Sequence, residues 1–398
     1  MRLERDARID RLIARHGNVA HVDGQSGNGA LIRADQLLVT SRDAESVHER
    51  TSRWVARRED DAAGVTVLHL RPEMGVDVCE LATDLSDGSA HKRVGAGPNH
   101  IVTTQPMWRP SPFDDPTPVD TAPAPPQERA THGDVTVAIL DTGIASHPWF
   151  DGHAWFAACD ADVRESPDAD HDDELDSVAG HGTFIAGIVL RQAPAAHLVI
   201  SRIISGDGVT DELGLLRGLA DLRSRARRSG KPIDVVSLSL GCYTHDDKPS
   251  PALEHGLAAF DRHTVIVACA GNAGSDRPFW PAALKRVVAV GALDAQGRDR
   301  AGFSNYGWWV DACAPGDHVT SSFFTYDARG PRGEEHFTGY AAWSGTSFAA
   351  PRVAGAIAGQ ALTQGVSAAH AAAVLLDPSD QPSMPDLGVL VDVASGRA

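Results

Sequence analysis

Long apolar runs are missing from this sequence of 398 residues. No segment approaches the roughly 20 consecutive apolar residues that a membrane-spanning helix requires, so we predict no membrane partner. The first segment, MRLERDARIDRLIARHG, is charged throughout and lacks the apolar core of a secretory leader. We therefore expect a cytoplasmic protein.

Cysteine is scarce. The five cysteines are Cys79, Cys159, Cys242, Cys269 and Cys313. They are scattered and odd in number, which excludes a disulfide-stapled scaffold, and no pair has the spacing of metal ligands. We predict neither a metal nor another cofactor.

Positive charge is also in short supply. The formal net charge is −17, which argues against nucleic acid as a partner, because phosphate binding needs concentrated positive charge. Residues 151–180 alone contain ten acidic residues and one basic residue, a net of −9. The simplest interpretation of this run is a solvated acidic loop.

Proline marks a domain boundary. Eight prolines lie between positions 106 and 126, a density that cannot form a helix or a central strand. We therefore predict an extended linker at residues 105–130. It separates an N-terminal unit (residues 1–104) from a larger C-terminal domain (residues 131–398).

The N-terminal unit has the pattern of a small α+β domain without a chemical constellation of its own. Its predicted strands are Ala30–Thr40, Gly64–Leu70 and His100–Thr104, and its predicted helices are Asp43–Glu59 and Val76–Leu85.

The C-terminal domain alternates strand and helix patterns. Strands are predicted at Val135–Leu140, His197–Ile204, Asp234–Leu240, Thr264–Ala270, Arg286–Leu293 and Trp309–Ala312, and helices at His181–Gln192, Asp211–Arg228, Pro251–Arg262 and Ser347–Gln364. Such alternation predicts an α/β fold, with a mostly parallel sheet between helices. In such folds ligands bind at the carboxyl ends of the strands.

The segment YAAWSGTSFAAPRVAGAIAG, residues 340–359, places Ser347 at the start of an apolar helix. The unpaired N–H groups of a helix N-terminus stabilise an oxyanion. We expect Pro351 to be harmless there, as a first-turn residue whose missing N–H had no partner. Taken alone, Gly-Thr-Ser is equally a cap ahead of a core helix.

Three further polar residues stand at comparable places. Asp141 ends the first buried strand, His181 lies between two glycines at a helix start, and Asn272 follows another buried strand. Each alone has a structural interpretation, as a strand-end turn, a packed histidine or a left-handed loop residue. With Ser347 they supply the nucleophile, base, orienting acid and oxyanion donor of acyl transfer.

With these motifs the chain resembles the subtilisin-like serine proteases, the subtilase family. The matching stretches are Asp-Thr-Gly at 141–143, His-Gly-Thr at 181–183, Ala-Gly-Asn at 270–272 and Gly-Thr-Ser-Phe-Ala-Ala-Pro at 345–351, in the family's order. The resemblance covers roughly residues 131 to 392 and implies a serine endopeptidase acting on peptides or proteins. It implies Ser347 as nucleophile, His181 as general base, Asp141 as orienting acid and Asn272 in the oxyanion hole.

The resemblance also implies that Ser239, Leu240, Gly241 and Gly271 bind substrate. Relatives carry an α+β propeptide where the N-terminal unit lies, so the unit is expected to be an intramolecular inhibitor or chaperone, with self-processing in the linker. Many relatives have a calcium loop between the histidine helix and the next strand. Only residues 191–196 separate these elements here, so that site is not expected.

Alternatives stay open. One is a protease-fold regulatory or binding protein kept latent by its N-terminal unit. An esterase ranks last, because the Gly-x-Ser-x-Gly elbow is absent around Ser347. The acidic run lies between Asp141 and His181, so it could steer peptides with Lys or Arg near the cleaved bond. A metal site at Asp170, His171, Asp172 and Asp173 lacks a recognisable spacing.

Overall fold

The computed structural model of the chain describes residues 13, 16–23, 29–87, 94–104, 115–128, 130–169, 171, 174–330 and 333–391. Within these residues, no helix combines the length and the apolar character needed to cross a membrane.

The N-terminal unit is an antiparallel sheet with two helices. Its elements are β1 (Val19–Val22), β2 (Ala30–Thr40), α1 (Ala44–Thr51), β3 (Val55–Asp61), β4 (Val65–Leu70), α2 (Val78–Asp87) and β5 (Ala96–Thr103). The strand order is β3-β4-β2-β5, with β1 beside β2. Because side chains alternate along a strand, Leu37 of β2 packs inside the unit, whereas its neighbour Leu38 packs against the C-terminal domain.

One helix predicted in this unit is wrong over half its length. The prediction spans Asp43–Glu59, but the helix ends at Thr51 and strand β3 begins at Val55. The charged residues of β3 do not alternate clearly with apolar ones, because β3 is an edge strand paired only with β4. Its sequence therefore lacks the buried-face signal that identifies a strand.

The linker and the C-terminal domain supply the remaining elements. They are β6 (Thr117–Pro118), β7 (Thr136–Asp141), α3 (Ala154–Ala157), α4 (His181–Gln192), β8 (His197–Arg202), β9 (Val209–Asp211), α5 (Glu212–Ser229), β10 (Val235–Leu238), α6 (Pro251–Ala258), β11 (Val265–Cys269), β12 (Val287–Leu293), β13 (Ala312–Pro315), β14 (Val319–Gly330), β15 (Gly333–Trp343), α7 (Thr346–Gln364), α8 (Ala368–Leu375), β16 (Ser383–Met384) and β17 (Gly388–Leu390).

The main sheet has the order β16-β17-β13-β12-β11-β10-β7-β8. Every neighbouring pair in it is parallel except β16–β17. The strands are continuous runs of buried Val, Ile, Leu and Ala, as expected of strands covered on both faces. The predicted α/β fold with a mostly parallel sheet and covering helices is confirmed.

Some predicted elements shift or were missed. The strand predicted at Trp309–Ala312 lies instead at Ala312–Pro315, and the long hairpin β14–β15 was not predicted. In this hairpin β14 pairs with β15, the next strand in the chain, so each strand sets the register of the other. Within the linker, Thr117 and Pro118 pair at the edge of β15, a position that tolerates proline.

Helix α7 lies across the main sheet and against α4. Its residues Gly355 and Gly359 face Gln192 at the end of α4, where a β-carbon on either glycine would crowd Gln192. The small residues therefore let the two helices approach closely. As a result, the N-terminal ends of α4 and α7 both lie at the carboxyl edge of the sheet, where Asp141 ends β7.

Candidate active site

Five sequence segments converge at the carboxyl edge of the main sheet. Asp141 is the last residue of β7, Ser239 follows β10, and Asn272 follows β11. His181 opens α4, and Ser347 is the second residue of α7. Strands β11, β10 and β7 are neighbours in the sheet, so their carboxyl ends bring these residues together.

Asp141 and His181 form a buried hydrogen-bonded pair. The distance from His181 Nδ1 to Asp141 Oδ1 is 2.7 Å, and the two side chains are 3% and 0% exposed. The backbone N–H of Thr142 also donates to Asp141 Oδ1, at 2.8 Å. Because the carboxylate of Asp141 accepts a hydrogen bond from Nδ1, the neutral imidazole carries its proton on Nδ1. Nε2 is then free to accept a proton.

Aromatic rings hold the imidazole in place. The ring of His181 meets Trp343 edge-on, with centroids 5.5 Å apart, and lies 5.3 Å from the ring of Phe348. Phe348 follows Ser347 in α7, so this contact places the imidazole beside the first turn of the serine helix.

Ser347 lies at the N-terminal end of α7, as predicted, and is 2% exposed. Its hydroxyl donates to the carbonyl of Ser239 at 3.4 Å. This contact is long for a hydrogen bond between a hydroxyl and a carbonyl, so the Ser239 carbonyl holds the serine hydroxyl only weakly. That leaves it available to a stronger acceptor.

The prediction that Pro351 is harmless was wrong in its reasoning. Helix α7 begins at Thr346, which puts Pro351 inside the helix rather than in its first turn. The missing N–H of Pro351 deprives the Ser347 carbonyl of its intrahelical donor. The hydroxyl of Ser239 replaces it and donates to the Ser347 carbonyl at 2.8 Å, so Ser239 supports the helix start from β10.

Asn272 is oriented by Thr346. Its Oδ1 accepts from the Thr346 backbone N–H at 2.8 Å and from the Thr346 hydroxyl at 2.7 Å. This fixes the amide so that Nδ2 points the other way, toward Gly345, where a β-carbon would lie 3.4 Å from it. The amide N–H₂ group is thus left available as a donor near the start of α7.

Glu165 links the chain segments that carry Asp141 and His181, and no motif in the sequence predicts this role. Its carboxylate accepts from the hydroxyls of Thr142 and Thr183 and from the Gly180 N–H, the last two at 2.7 Å and 2.8 Å. Burial of the carboxyl, opposed by these hydrogen bonds, raises the pKa of Glu165. Glu165 is one of the ten acidic residues in 151–180. It differs from the others in the folded chain, where it lies beside the segments that carry Asp141 and His181.

The thiol of Cys269, near Ser347, is a second potential nucleophile but is not reactive. Burial raises the pKa of the Cys269 thiol to about 12, although hydrogen bonds with Thr346 and Ser347 oppose the shift. The thiol therefore stays protonated at neutral pH and is a poor nucleophile. Of the two groups, Ser347 is therefore the candidate nucleophile.

A segment of the N-terminal unit adds a strand next to the candidate active site, in the position called the groove below. Thr103, at the end of β5, exchanges two backbone hydrogen bonds with Gly241, of 2.9 Å and 3.0 Å. On its other side β5 pairs with β9, and the Thr104 N–H donates to the Gly208 carbonyl at 3.2 Å. Residues 101–104, called the tail below, therefore form the middle strand between two edges of the C-terminal domain.

The other residues predicted to bind substrate occupy different places. Leu240 is fully buried in the main core, so its side chain contacts other core residues, and only its backbone borders the groove. Gly271 precedes Asn272 and lies against the ring of Phe279. Gly241 alone among these four pairs with the tail.

The N-terminal unit docks through an apolar cluster and a buried polar pair. Leu38, Val65 and Val67 pack against Leu213 and Leu216 of α5. Nearby, His100 Nδ1 lies 3.3 Å from Glu212 Oε1, with side chains 2% and 0% exposed. The ring of His245 stacks on His100 with centroids 5.6 Å apart. This interface has the buried character of a domain core.

Among the described residues, no group of three or more His, Cys, Asp and Glu side chains is arranged to hold a metal ion. Of the acidic residues considered for a metal, Asp170, Asp172 and Asp173 lie outside the described part of the chain.

Comparisons with known proteins address the C-terminal domain. The family model described as the subtilase family matches residues 132–383. The thermophilic serine proteinase of Bacillus sp. (strain AK1) is 35% identical over 230 residues, which are 55% of this chain and 50% of that protein. Subtilisin BL of Lederbergia lenta is 34% identical over 249 residues, 60% of this chain and 80% of that protein.

Thermitase of Thermoactinomyces vulgaris is 31% identical over 258 residues, covering 62% of this chain and 81% of thermitase. Among solved structures, a lanthipeptide protease aligns over 66% of this chain and 86% of its own, with 22% identity and a TM-score of 0.49. The matches thus span 50% to 81% of these relatives, and the family model begins at residue 132, after the N-terminal unit.

Proposed function

This chain belongs to the subtilase family, and we propose that it is a serine endopeptidase in which Asp141, His181 and Ser347 form the catalytic triad. The observation that carries the proposal is the buried 2.7 Å hydrogen bond between His181 Nδ1 and Asp141 Oδ1. It orients the imidazole beside a serine at a helix N-terminus, which is the arrangement that acyl transfer by a hydroxyl requires.

In the proposed reaction, Ser347 Oγ attacks the carbonyl carbon of the scissile peptide bond while His181 Nε2 takes its proton. Asp141 stabilises the imidazolium that results. Collapse of the tetrahedral intermediate breaks the C–N bond, and His181 returns the proton to the leaving amine. Water then attacks the acyl-enzyme by the same route and releases the acid product.

The negative oxygen of the tetrahedral intermediate is stabilised by two donors. One is Asn272 Nδ2, whose orientation follows from the two hydrogen bonds that Asn272 Oδ1 accepts from Thr346. The other is the backbone N–H of Ser347, which has no intrahelical acceptor so close to the start of α7. Both donors are held before the reaction begins, so little reorganisation accompanies the charge.

We further propose that the N-terminal unit is an intramolecular inhibitor. In support, the tail occupies the strand position between Gly241 and β9 that a peptide substrate would use. A strand held by a docked unit has a high effective concentration, so it competes with any free peptide. We also propose that cleavage within residues 105–130 by Ser347 separates the unit covalently.

The same contacts favour a second candidate, a latent regulatory protein. In this alternative the tail is never displaced, and the domain binds partners without cleaving them. The two candidates differ in a single observable, the hydrolysis of added protein.

The test compares the purified full-length protein with its Ser347→Ala variant and with Ser229→Ala, a matched serine on the surface of α5. Casein hydrolysis and intact mass are measured for all three. We expect wild type and Ser229→Ala to digest casein and to be cut in the linker, because both retain the triad. Ser347→Ala should stay uncut and lose at least about 10⁴-fold in rate.

Equal hydrolysis by wild type and Ser347→Ala would overturn the assignment of the nucleophile. If wild type stays uncut but still digests casein, the endopeptidase proposal is supported and the proposed cleavage within residues 105–130 is contradicted. Absence of hydrolysis by wild type over long incubation would favour the latent regulatory protein.

A further inference from the structure

We infer that the ring of Phe279 fills the pocket for one substrate side chain. That side chain belongs to the residue whose carbonyl carbon is attacked, called the acyl position below. The site therefore accepts peptides with glycine, alanine or serine at that position and rejects large side chains. This inference rests on the proposed function, because it names the substrate class of the same site.

The position of the acyl residue follows from strand register. Thr103 of the tail exchanges both backbone hydrogen bonds with Gly241, as a directly paired residue of an antiparallel ladder does. A substrate residue two positions further along that strand faces Ser239. The Ser239 carbonyl lies 3.4 Å from Ser347 Oγ, so this residue presents its own carbonyl to the nucleophile.

The side chain of the acyl residue must enter the space between two backbone segments. One contains Gly241 on the strand edge, and the other contains Gly271, immediately before the oxyanion donor Asn272. Both residues lack side chains, so together they would form an open slot next to Ser347. Glycine at both positions is what such a slot requires.

The ring of Phe279 occupies that slot. A β-carbon placed on Gly241 would lie 2.8 Å from Phe279 Cζ, and one placed on Gly271 would lie 3.1 Å from Cγ and Cδ1. Ordinary carbon contacts begin near 3.5 Å, so the ring lies directly against both backbones. Little room remains between them for a second large side chain.

The ring is fixed in place. Its neighbour Trp280 exchanges backbone hydrogen bonds of 2.8 Å and 2.9 Å with Cys242, which follows Gly241. The ring of Tyr243 meets it edge-on with centroids 5.0 Å apart, and Phe279 is only 8% exposed. Moving the ring would break this packing, so the slot does not open at low cost.

The charge near the slot is neutralised. Arg277 stacks over Tyr243, with its guanidinium 4.6 Å from the ring centroid, and forms an ion pair with Asp247. Arg277 therefore presents no uncompensated charge to a substrate, and lysine or arginine at the acyl position would be rejected by the ring of Phe279 because the side chain is large. Any preference for basic peptides that the acidic residues 151–180 create must act at other substrate positions.

The experiment measures covalent labelling of the full-length protein by tripeptidyl diphenyl phosphonates that carry the side chain of alanine, phenylalanine or lysine at the acyl position. Ser347 Oγ forms the bond to phosphorus, and phenoxide leaves. Irreversible labelling accumulates even when the tail leaves the groove rarely. Diisopropyl fluorophosphate serves as a probe without a peptide, and Ser347→Ala as the unlabelled control.

Wild type should be labelled by the alanine probe at least about tenfold faster than by the other two, since even one methylene group changes specificity by about 10- to 200-fold. Phe279→Gly should raise the rate with the phenylalanine probe at least about tenfold relative to the alanine probe. Phe260→Ala, a change at an equally buried ring in the main core, should leave the ratio of rates unchanged.

Labelling of wild type by the phenylalanine or lysine probe as fast as by the alanine probe would overturn the inference without reference to any variant. An equal change for all three probes in Phe279→Gly would also overturn it, because a merely structural ring would affect every probe. If no probe labels wild type, diisopropyl fluorophosphate included, the proposed function fails and the inference falls with it.

Discussion

The candidate catalytic centre lies within the C-terminal domain, whereas the docking surface joins that domain to the N-terminal unit. At the centre, the backbone N–H of Thr142 donates to Asp141, and the backbone N–H of Thr346 donates to Asn272. At the docking surface, Leu38 meets Leu213, and Arg33 reaches Asp211 at 2.8 Å. The residues proposed to act on substrate and those proposed to limit access are therefore held by separate sets of contacts.

This difference suggests that the two functions can be changed separately. A variant at the centre should alter the rate of bond cleavage without loosening the N-terminal unit. A variant at the docking surface should alter access to the groove and leave the chemistry intact.

The largest effect is expected from Asp141→Asn. The amide cannot stabilise an imidazolium and favours the wrong tautomer of His181, so kcat should fall about 10⁴-fold. Steady-state hydrolysis of a peptide ending in alanine on the acyl side gives the value. The thermal unfolding of the N-terminal unit should not change, and a loss of less than tenfold would show that Asp141 does not orient the base.

A smaller loss is expected from Asn272→Ala. One of the two oxyanion donors disappears, which should lower kcat by about 10² to 10³. KM should hardly change, because the donor contacts the transition state rather than the bound substrate. A rise in KM at constant kcat would instead identify Asn272 as a residue that binds substrate.

The opposite direction is expected from Leu38→Ala at the docking surface. Removing a buried leucine costs about 2 to 5 kcal/mol, and each 1.4 kcal/mol is about tenfold in an equilibrium constant. The tail should leave the groove more often, so peptide hydrolysis by the full-length protein should rise at least about tenfold. Leu38→Met, which conserves volume, is the matched control and should stay close to wild type.

Acid should loosen the same surface. Burial, and then the nearby His100, lower the pKa of His245, while Asp246 and Asp77 oppose the shift and Lys248 adds to it. Docking keeps His245 neutral, so its contribution is complete above the ordinary histidine pKa of about 6.5. It is lost as the pH falls below that value toward the lowered pKa.

The pH effect is the smallest of the four. Between pH 7.5 and pH 5 the thermal midpoint of wild type should fall further than that of His245→Gln, by roughly 2 °C for each kcal/mol lost. Hydrolysis by the full-length protein should rise over the same interval relative to the variant. If the thermal midpoints of both proteins fall equally between pH 7.5 and pH 5, His245 does not contribute to docking.

The sequence was sufficient to predict that four candidate residues lie close together, because they stand at the ends of buried strands and at the starts of helices. Asp141 and Asn272 follow continuous apolar runs, and His181 and Ser347 begin helices of small residues. The carboxyl ends of neighbouring parallel strands must meet, so the convergence of these residues could be predicted without knowing the strand order.

Other residues could not be predicted because their roles depend on positions distant in the chain. Ser239 matters because helix α7 starts early enough to put Pro351 in its interior. Phe279 matters because its ring lies against both Gly241 and Gly271. The resemblance predicted Ser239 as a substrate-binding residue but not as a support for helix α7, and no pattern in the sequence marked Phe279. Each residue acquires its role only when the folded chain brings its partners together.

The most direct test of the whole account is the rate of peptide hydrolysis by four full-length proteins: wild type, Leu38→Ala, Asp141→Asn and the double variant. If a working triad is blocked by its own tail, Leu38→Ala will exceed wild type. The double variant will exceed Asp141→Asn by the same factor and will stay about 10⁴-fold below Leu38→Ala, because independent effects add in free energy. If Leu38→Ala is no faster than wild type, or if the double variant approaches the rate of Leu38→Ala, access and chemistry are not separate in this way.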